Sequence, residues 1–308
     1  MAWFGRSRRP DPGPDEPRDA DLEALGVDQA ARFRAAAMAA FRRVGVETTC
    51  TDGVLYASGE VRYPLHSIAA QAAQTPERDW PTLLDRHARV LLRPAPEPVA
   101  GSAELDASLF LSLWRRGTLP WQPDHQVEVA DDLVAVPAQD LPETVKTACR
   151  GDQVDEWGGW EHVVAQAYRN LRMLAPDQTL TVNDDDPAEA VSLSVGGYFN
   201  ASRLLVLERV LSQDFGLEAP RRGVLVAAPN RHLLIVHEPS GPGIVGALQA
   251  MLHLARSESA GAGSISPHVY YWRAGVLQRV SHEPVPGELT IRVEGAFEQL
   301  FRELGLAD

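Results

Sequence analysis

Six polar residues stand at the ends of apolar runs, where a chain recognises other molecules most readily: Asn200, Ser202, Asn230, Arg231, Ser266 and Tyr270. Loops and turns on a rigid scaffold carry recognition, so these six are read as one partner-binding rim. Arg231 is the most telling of them. A guanidinium offers five donors in a fixed fork that suits a carboxylate or phosphate. Its partner is a carboxylate on a bound protein or ligand, an acid from a neighbouring loop, or solvent alone. The same six residue types also serve turns and helix caps, the commoner use.

Other motifs carry less chemistry. Gly241-Pro242-Gly243-Ile244-Val245-Gly246 matches G-x-G-x-x-G, which in a dinucleotide fold cradles a pyrophosphate at a helix start. Here the run before it reads as the second arm of a hairpin, and no parallel strand follows with an acid about 20 positions on. The glycines are therefore read as a helix start with Ser240 as cap. His232 and His237 flank one strand at an odd separation, which points them to opposite faces. His87 and His253 sit beside apolar helical stripes. The acidic turn Asn183-Asp184-Asp185-Asp186 lacks the spacing and terminal Glu of a calcium loop. No serine lies in G-x-S-x-G, and Lys146, the only lysine, has no glycine-rich loop before it. The sequence thus implies no catalytic residue, no cofactor and no metal ligand.

Bulk properties narrow the class. With 308 residues and roughly 150 per domain, two domains or one large one are expected. Hydrophobic residues make up 44%, enough for a sizeable core. The net charge of −13 argues against nucleic acid or an anionic membrane as partner, because both are held by clustered Lys and Arg. Cys50 and Cys149 form no C-x-x-C and are read as reduced residues of a cytoplasmic protein. No run approaches the roughly 20 apolar residues of a membrane span. Residues 1–20, rich in Pro, Gly and charge, are read as a disordered tail.

The elements that must position these residues follow from periodicity. Residues 28–44 read as a helix capped by Asp28, with Phe33, Ala37, Ala40 and Phe41 on one face. A hairpin turns at Asp52-Gly53, and helices begin near Pro64 and Pro81. Runs 109–114 and 133–136 read as strands, and 115–131 as an irregular connection. In the second half a helical stripe holds Val163, Ala167 and Leu171. Strands 179–182 and 191–195 follow. The next helix puts Leu204, Leu207, Val210 and Leu211 inward. Runs 224–227 and 233–236 are continuously apolar, as in strands buried on both faces, with Pro229-Asn230 as the turn between them. A hairpin around Ala274-Gly275, a strand near 289–293 and a helix through Phe297 and Leu300 close the chain. The fold class is α+β, with antiparallel sheets and packed helices. The order helix–hairpin–helix–strand recurs in halves 21–150 and 151–308.

The pieces NASRLLVLERVL, GVLVAAPNRHLLIV and ISPHVYYW, with ADDLVAVPAQDLPETV and WGGWEHVVAQAYRNL, carry a family resemblance. Over residues 131–280 the chain resembles the bacterial domain-of-unknown-function family 1444. The resemblance implies a cytoplasmic α+β protein with no assigned activity, cofactor or catalytic residue. The element order of each half is also similar to that of small secretion-chaperone domains, which bind peptides. The expectation is a cytoplasmic, non-enzymatic module that binds a protein or peptide, with Trp114, Trp121, Trp157 and Trp160 as candidate anchors. The alternative is a small-molecule hydrolase or transferase with a polar pocket at Asn230, Arg231 and Ser266. A pocket lined by those residues would favour the enzyme.

Overall fold

The computed structural model describes residues 17–58, 61–93, 101–119, 121–148, 150–182, 185, 186, 188–285 and 288–307. It forms two compact units, one of residues 1–95 with 260–262 and one of 96–259 with 263–308. The division falls near residue 95, whereas the sequence divides by element order near 150. The reason is packing: strands from 109 to 147 share one hydrophobic core with the helix at 160–173 and cannot be parted from it.

The first unit holds α1 (Val27–Arg43), β1 (Thr48–Thr51), β2 (Val54–Ala57), β3 (Arg62–Pro64), α2 (His66–Ala72) and α3 (Trp80–Leu91). Ala30, Phe33, Ala37, Ala40 and Phe41 recur at helical spacing on α1 and are all buried. Gly26 precedes the helix, so Asp28 lies in the first turn, where it favours the helix dipole, and does not cap it. Gly45, at φ +88°, lets the chain leave the helix. Asp52 and Gly53 both have positive φ and join β1 to β2 with Thr51 opposite Val54, a two-residue hairpin turn. The expected disordered tail falls mainly on residues 1–16, which lie outside the described residues. Residues 17–20 do not belong to it. Asp19 accepts the N–H groups of Asp21 and Leu22 and pairs with Arg34 at 2.6 Å, which holds its carboxyl down at about 2.

The second unit contains α4 (Ala103–Ser108), β4 (Leu109–Arg115), β5 (Val127–Ala130), β6 (Leu133–Leu141), β7 (Thr144–Thr147), α5 (Gly151–Glu156), α6 (Trp160–Met173), β8 (Gln178–Val182) and β9 (Val191–Val195). A 3-10 turn (Ala201–Val206) then leads into α7 (Leu207–Phe215). After it come β10 (Val224–Asn230), β11 (Leu233–His237), α8 (Ile244–Ser259), β12 (Val269–Arg273), β13 (Val276–Arg279), β14 (Ser281–Val285), β15 (Glu288–Ile291) and α9 (Gly295–Glu303). The connection expected to be irregular at 115–131 thus contains strand β5. The inward helix expected through Leu204 is a 3-10 turn up to Val206 and α-helical beyond it.

The pairings among the described strands are antiparallel, and the class is α+β. The main sheet has the order β13-β12-β10-β11-β9-β8, and β4-β6-β5 with β7 beside β6 form a second. The continuously apolar β10 and β11 are central, as that pattern requires. Alternation along each strand sorts their side chains. Leu225, Ala227 and Ile235 join α8 and α9 in one core, while Val224, Val226 and Leu234 join α6, α7 and the second sheet in another. β10 continues through Pro229 to Asn230, so the turn consists of Arg231 and His232, not of Pro229-Asn230. Proline lacks an N–H and is tolerated at a bulge; the register shifts between Ala227 and Asn230, and the Pro229 carbonyl accepts from Ile265 N.

Leu207 is buried in the core between α7 and the main sheet, beside Val210 and Leu211. Leu207→Ala is expected to cost about 2–5 kcal/mol, measured by denaturant titration; a loss below about 1 kcal/mol would show that this face of α7 does not pack against the sheet.

Candidate functional site

The six residues read as a rim take part in three hydrogen-bond networks, the first two linked through the β10–β11 tip; five of the six are buried, and Arg231 is half-buried. The first surrounds Arg203, a residue the sequence reading passed over. Its guanidinium forms two parallel bonds to Asp214, Nη1 to Oδ2 at 2.7 Å and Nη2 to Oδ1 at 2.8 Å. The two side chains are 2% and 3% exposed. Arg203 Nη1 also reaches Ser194 Oγ and Asn200 Oδ1, each at 3.3 Å. Asn200 Nδ2 donates to the carbonyls of Ser194 at 2.7 Å and His232 at 3.1 Å. Ser202 Oγ accepts the backbone N–H of Leu113 on β4 at 3.0 Å. The segment NASR therefore fastens the end of β9, the β10–β11 tip and β4 to one turn of 3-10 helix. Each of these side chains makes a buried contact that would be costly to leave unmade.

The second network holds the hairpin tip. Asn230 Oδ1 accepts from His232 N, and its Nδ2 reaches Glu258. The Arg231 carbonyl accepts from Ala201 N, and the Arg231 guanidinium lies 4.3 Å over the Tyr198 ring. Gly263, at φ +76°, leaves room for it, since a Cβ there would come within 2.5 Å of Arg231 Nε. The arginine is thus stacked on an aromatic ring of its own chain, neither an isolated turn charge nor a fork held open at the tip.

The third network runs from Ser266 to Asp132. Tyr270 donates its hydroxyl proton to Asp132 Oδ2 at 2.9 Å, and Ser266 Oγ lies 2.7 Å from the same hydroxyl. Arg279 approaches Asp132 at 3.4 Å. Burial, then the Asp132 charge, pushes the Tyr270 phenol well above its usual range. His268 lies beside them with Nδ1 3.2 Å from Ser281 Oγ. Burial, reinforced by Arg279 and Arg115 and opposed by Asp132, pushes His268 down to about 4. Ser266, with no exposed surface, cannot be reached as a nucleophile.

The remaining motifs resolve into packing. A Cβ on Gly243 would lie 2.4 Å from the Ala188 carbonyl, and one on Gly246 2.5 Å from the Glu189 carboxylate. The chain's own segment at 188–189 fills the space those glycines leave. His237 Nδ1 bonds the Ala190 carbonyl at 2.8 Å. Among the described residues no three His, Cys, Asp or Glu side chains gather as a ligand set. Asn183 and Asp184 of the acidic turn, and Cys149, lie outside the described residues. Trp157 is buried with Leu105, Leu109 and Val163, and Trp160 stacks on His125 at 5.0 Å. Trp157 is therefore no exposed anchor, while Trp160 stays half-buried.

An accessible site lies elsewhere. A cleft of about 450 Å³ is lined by Arg172 and Met173 at the end of α6, Leu174, Ala175 and Pro176 after it, Thr179 of β8, and Arg209, Gln213 and Asp214 of α7. Its floor is the carboxylate already held by Arg203. Arg172 and Arg209 are exposed, and no acid pairs with either among the described residues. Met173 is 81% exposed. A second cleft, of about 360 Å³, is lined by Arg116, Glu128, Val129, Ala130 and Asp131, but Arg116 is already paired with Glu128. None of the six rim residues lines either cleft.

The first cleft borders β8, which ends the main sheet and pairs only with β9 among the described strands. Its sequence, Gln-Thr-Leu-Thr-Val, is exposed along nearly its whole length. Edge strands are ordinarily guarded by Lys, Pro, a bulge or a covering element, and β8 has no such residue within it. The opposite edge, β13, carries Arg279 and lies against β5. Sequence pattern gives the strand but not its edge position, which depends on pairings formed far along the chain.

Among the described residues no helix is long and apolar enough to cross a membrane. In comparisons with known proteins, no family model matches the chain, and no curated protein or solved structure matches it significantly.

Two outcomes follow from the interior networks. Asp214→Ala leaves Arg203 buried without its carboxylate and is expected to cost about 3–5 kcal/mol, whereas replacing both residues by apolar ones of similar volume recovers most of that loss; equal losses in denaturant titration would contradict this. For His268, the folded value of about 4 lies below the ordinary 6.5 or so. The unfolded chain binds the extra proton first, so stability is full above about pH 6.5 and falls as pH drops towards 4. His268→Gln is expected to remove that part of the acid sensitivity, seen as melting curves of variant and native protein that converge between pH 7 and 4.5; parallel curves would show that His268 takes no part.

Proposed function

We propose that this chain is a non-enzymatic binding module that takes an extended segment of another protein or a peptide along β8 and into the adjoining cleft. One observation carries the reading: β8 is an open, uncharged edge strand rich in β-branched residues, set beside a cleft with apolar and basic walls. Strand addition supplies affinity through main-chain hydrogen bonds and specificity through pockets for alternate side chains. Thr179 and the cleft lie on one face of β8, and Leu180, 42% exposed, lies on the other. An added strand would therefore meet side chains on both faces. The hydrolase or transferase alternative has no comparable support, because Asn230 and Ser266 are buried in the interior and Arg231 is stacked on Tyr198.

The test is selection of binders from a displayed library of random nine-residue peptides, followed by amide hydrogen exchange. A selected peptide is expected to slow exchange at residues 178–182, and the same peptide with alternate amides N-methylated is expected to lose that effect. Peptides that bind without slowing exchange in β8, or a library that yields no binder, would refute the reading.

A further inference from the structure

We infer that the occupant of β8 is an extended peptide carrying one acidic side chain among neutral and apolar neighbours, and that Arg172 and Arg209 hold that acid in the cleft. The inference rests on the strand-addition reading and names the partner's chemistry. Two arginines that no acid pairs with among the described residues line a cleft, one at the end of α6 and one on α7, in a chain whose net charge is −13. Several arginines outside the cleft have carboxylate partners, as Arg203 has Asp214, Arg34 has Asp19, Arg43 has Asp85 and Arg273 has Glu303; what sets Arg172 and Arg209 apart is that they share one cleft. Asp214 does not satisfy the two in the cleft, because both of its oxygens face Arg203. Arg172 leans towards Tyr168, with Cζ 6.0 Å from the ring, which restrains its side chain and lowers the cost of ordering it on a ligand.

The surroundings limit how acidic the occupant can be. Asp177 stands before β8, and Asp185 and Asp186 stand after it, all exposed. A polyacidic strand would be repelled at both ends, whereas a single acid opposite Thr179 meets the two arginines and an Asp214 already neutralised by Arg203. The exposed Met173 and the Leu174, Ala175 and Pro176 wall suit apolar neighbours on either side of it. A second copy of β8 is disfavoured by the same charges, since antiparallel self-pairing about Leu180 would set Asp177 of one chain towards the acidic turn of the other.

The peptides selected against the native protein test this directly. They are expected to share one Asp or Glu at a fixed position between apolar residues. Changing it to Asn or Gln should weaken binding about 10-fold or more, the scale of a charge-assisted pair. The variants R172Q and R209Q, which keep the native melting temperature if their side chains only line the cleft, should bind the acid and amide peptides alike. Peptides that slow exchange in β8 yet show no acidic position, or an acid preference that survives both variants, would overturn the inference and leave the strand-addition reading standing. Absence of protection in β8 would overturn both. Sedimentation showing a dimer whose β8 amides are protected without peptide would assign the edge to a second copy and overturn the inference.

Discussion

The guanidinium of Arg203 and the carboxylate of Asp214 face each other in the interior of the second unit, and much of the unit's geometry depends on their staying paired. Burying two charges is expensive, and the cost is offset only when geometry is close and the remaining bonds are met. Here Asn200 and Ser194 complete the set, and Asn200 in turn holds the β10–β11 tip. Arg203 Nε alone has no partner within the network. The pair fixes where α7 leaves the 3-10 turn, and so where Arg209 and Gln213 stand along the cleft. An apolar substitute could match its stability but would not specify that register so narrowly, since an ion pair tolerates little displacement.

A second consequence is electrostatic. Because Arg203 consumes both oxygens of Asp214, the cleft floor contributes no free negative charge, and the two exposed arginines that line the cleft keep their attraction for an external acid. The second cleft, at Arg116, lacks this property, since Glu128 answers its arginine directly. Affinity and selectivity would then arise from different parts of one surface. The edge of β8 offers sequence-independent main-chain bonds, and the arginines discriminate by side-chain charge.

Much of the architecture is legible in the chain. Leu207, Val210 and Leu211 announce the buried face of α7 by their spacing, and the uninterrupted apolar runs of β10 and β11 announce central strands. Legibility fails where long-range pairing overrides local signals. Pro229-Asn230 has the composition of a turn, yet tertiary bonds from Ile265 and Ser264 keep it in the strand and shift the turn to Arg231 and His232. Strand β5, with only four residues, has too short a period to stand out from its loop. The polar residues of the NASR segment, Ser266 and Tyr270 are conspicuous because they interrupt apolar runs, and interruption is what a buried network requires as much as what a binding rim would show. Arg172 and Arg209 resemble any solvent-facing helix residues until the fold brings the end of α6 beside α7. Their place on one cleft, beside an acid already taken by Arg203, marks them, and that is a property of space and not of sequence.

The most direct measurement is a crystal structure of the protein with a selected peptide bound. The account predicts a peptide backbone hydrogen-bonded along residues 178–182, with one carboxylate set between Arg172 and Arg209 and the pair of Arg203 and Asp214 undisturbed beneath it. A peptide seated on another surface, with β8 unpaired and both arginines facing solvent, would contradict it.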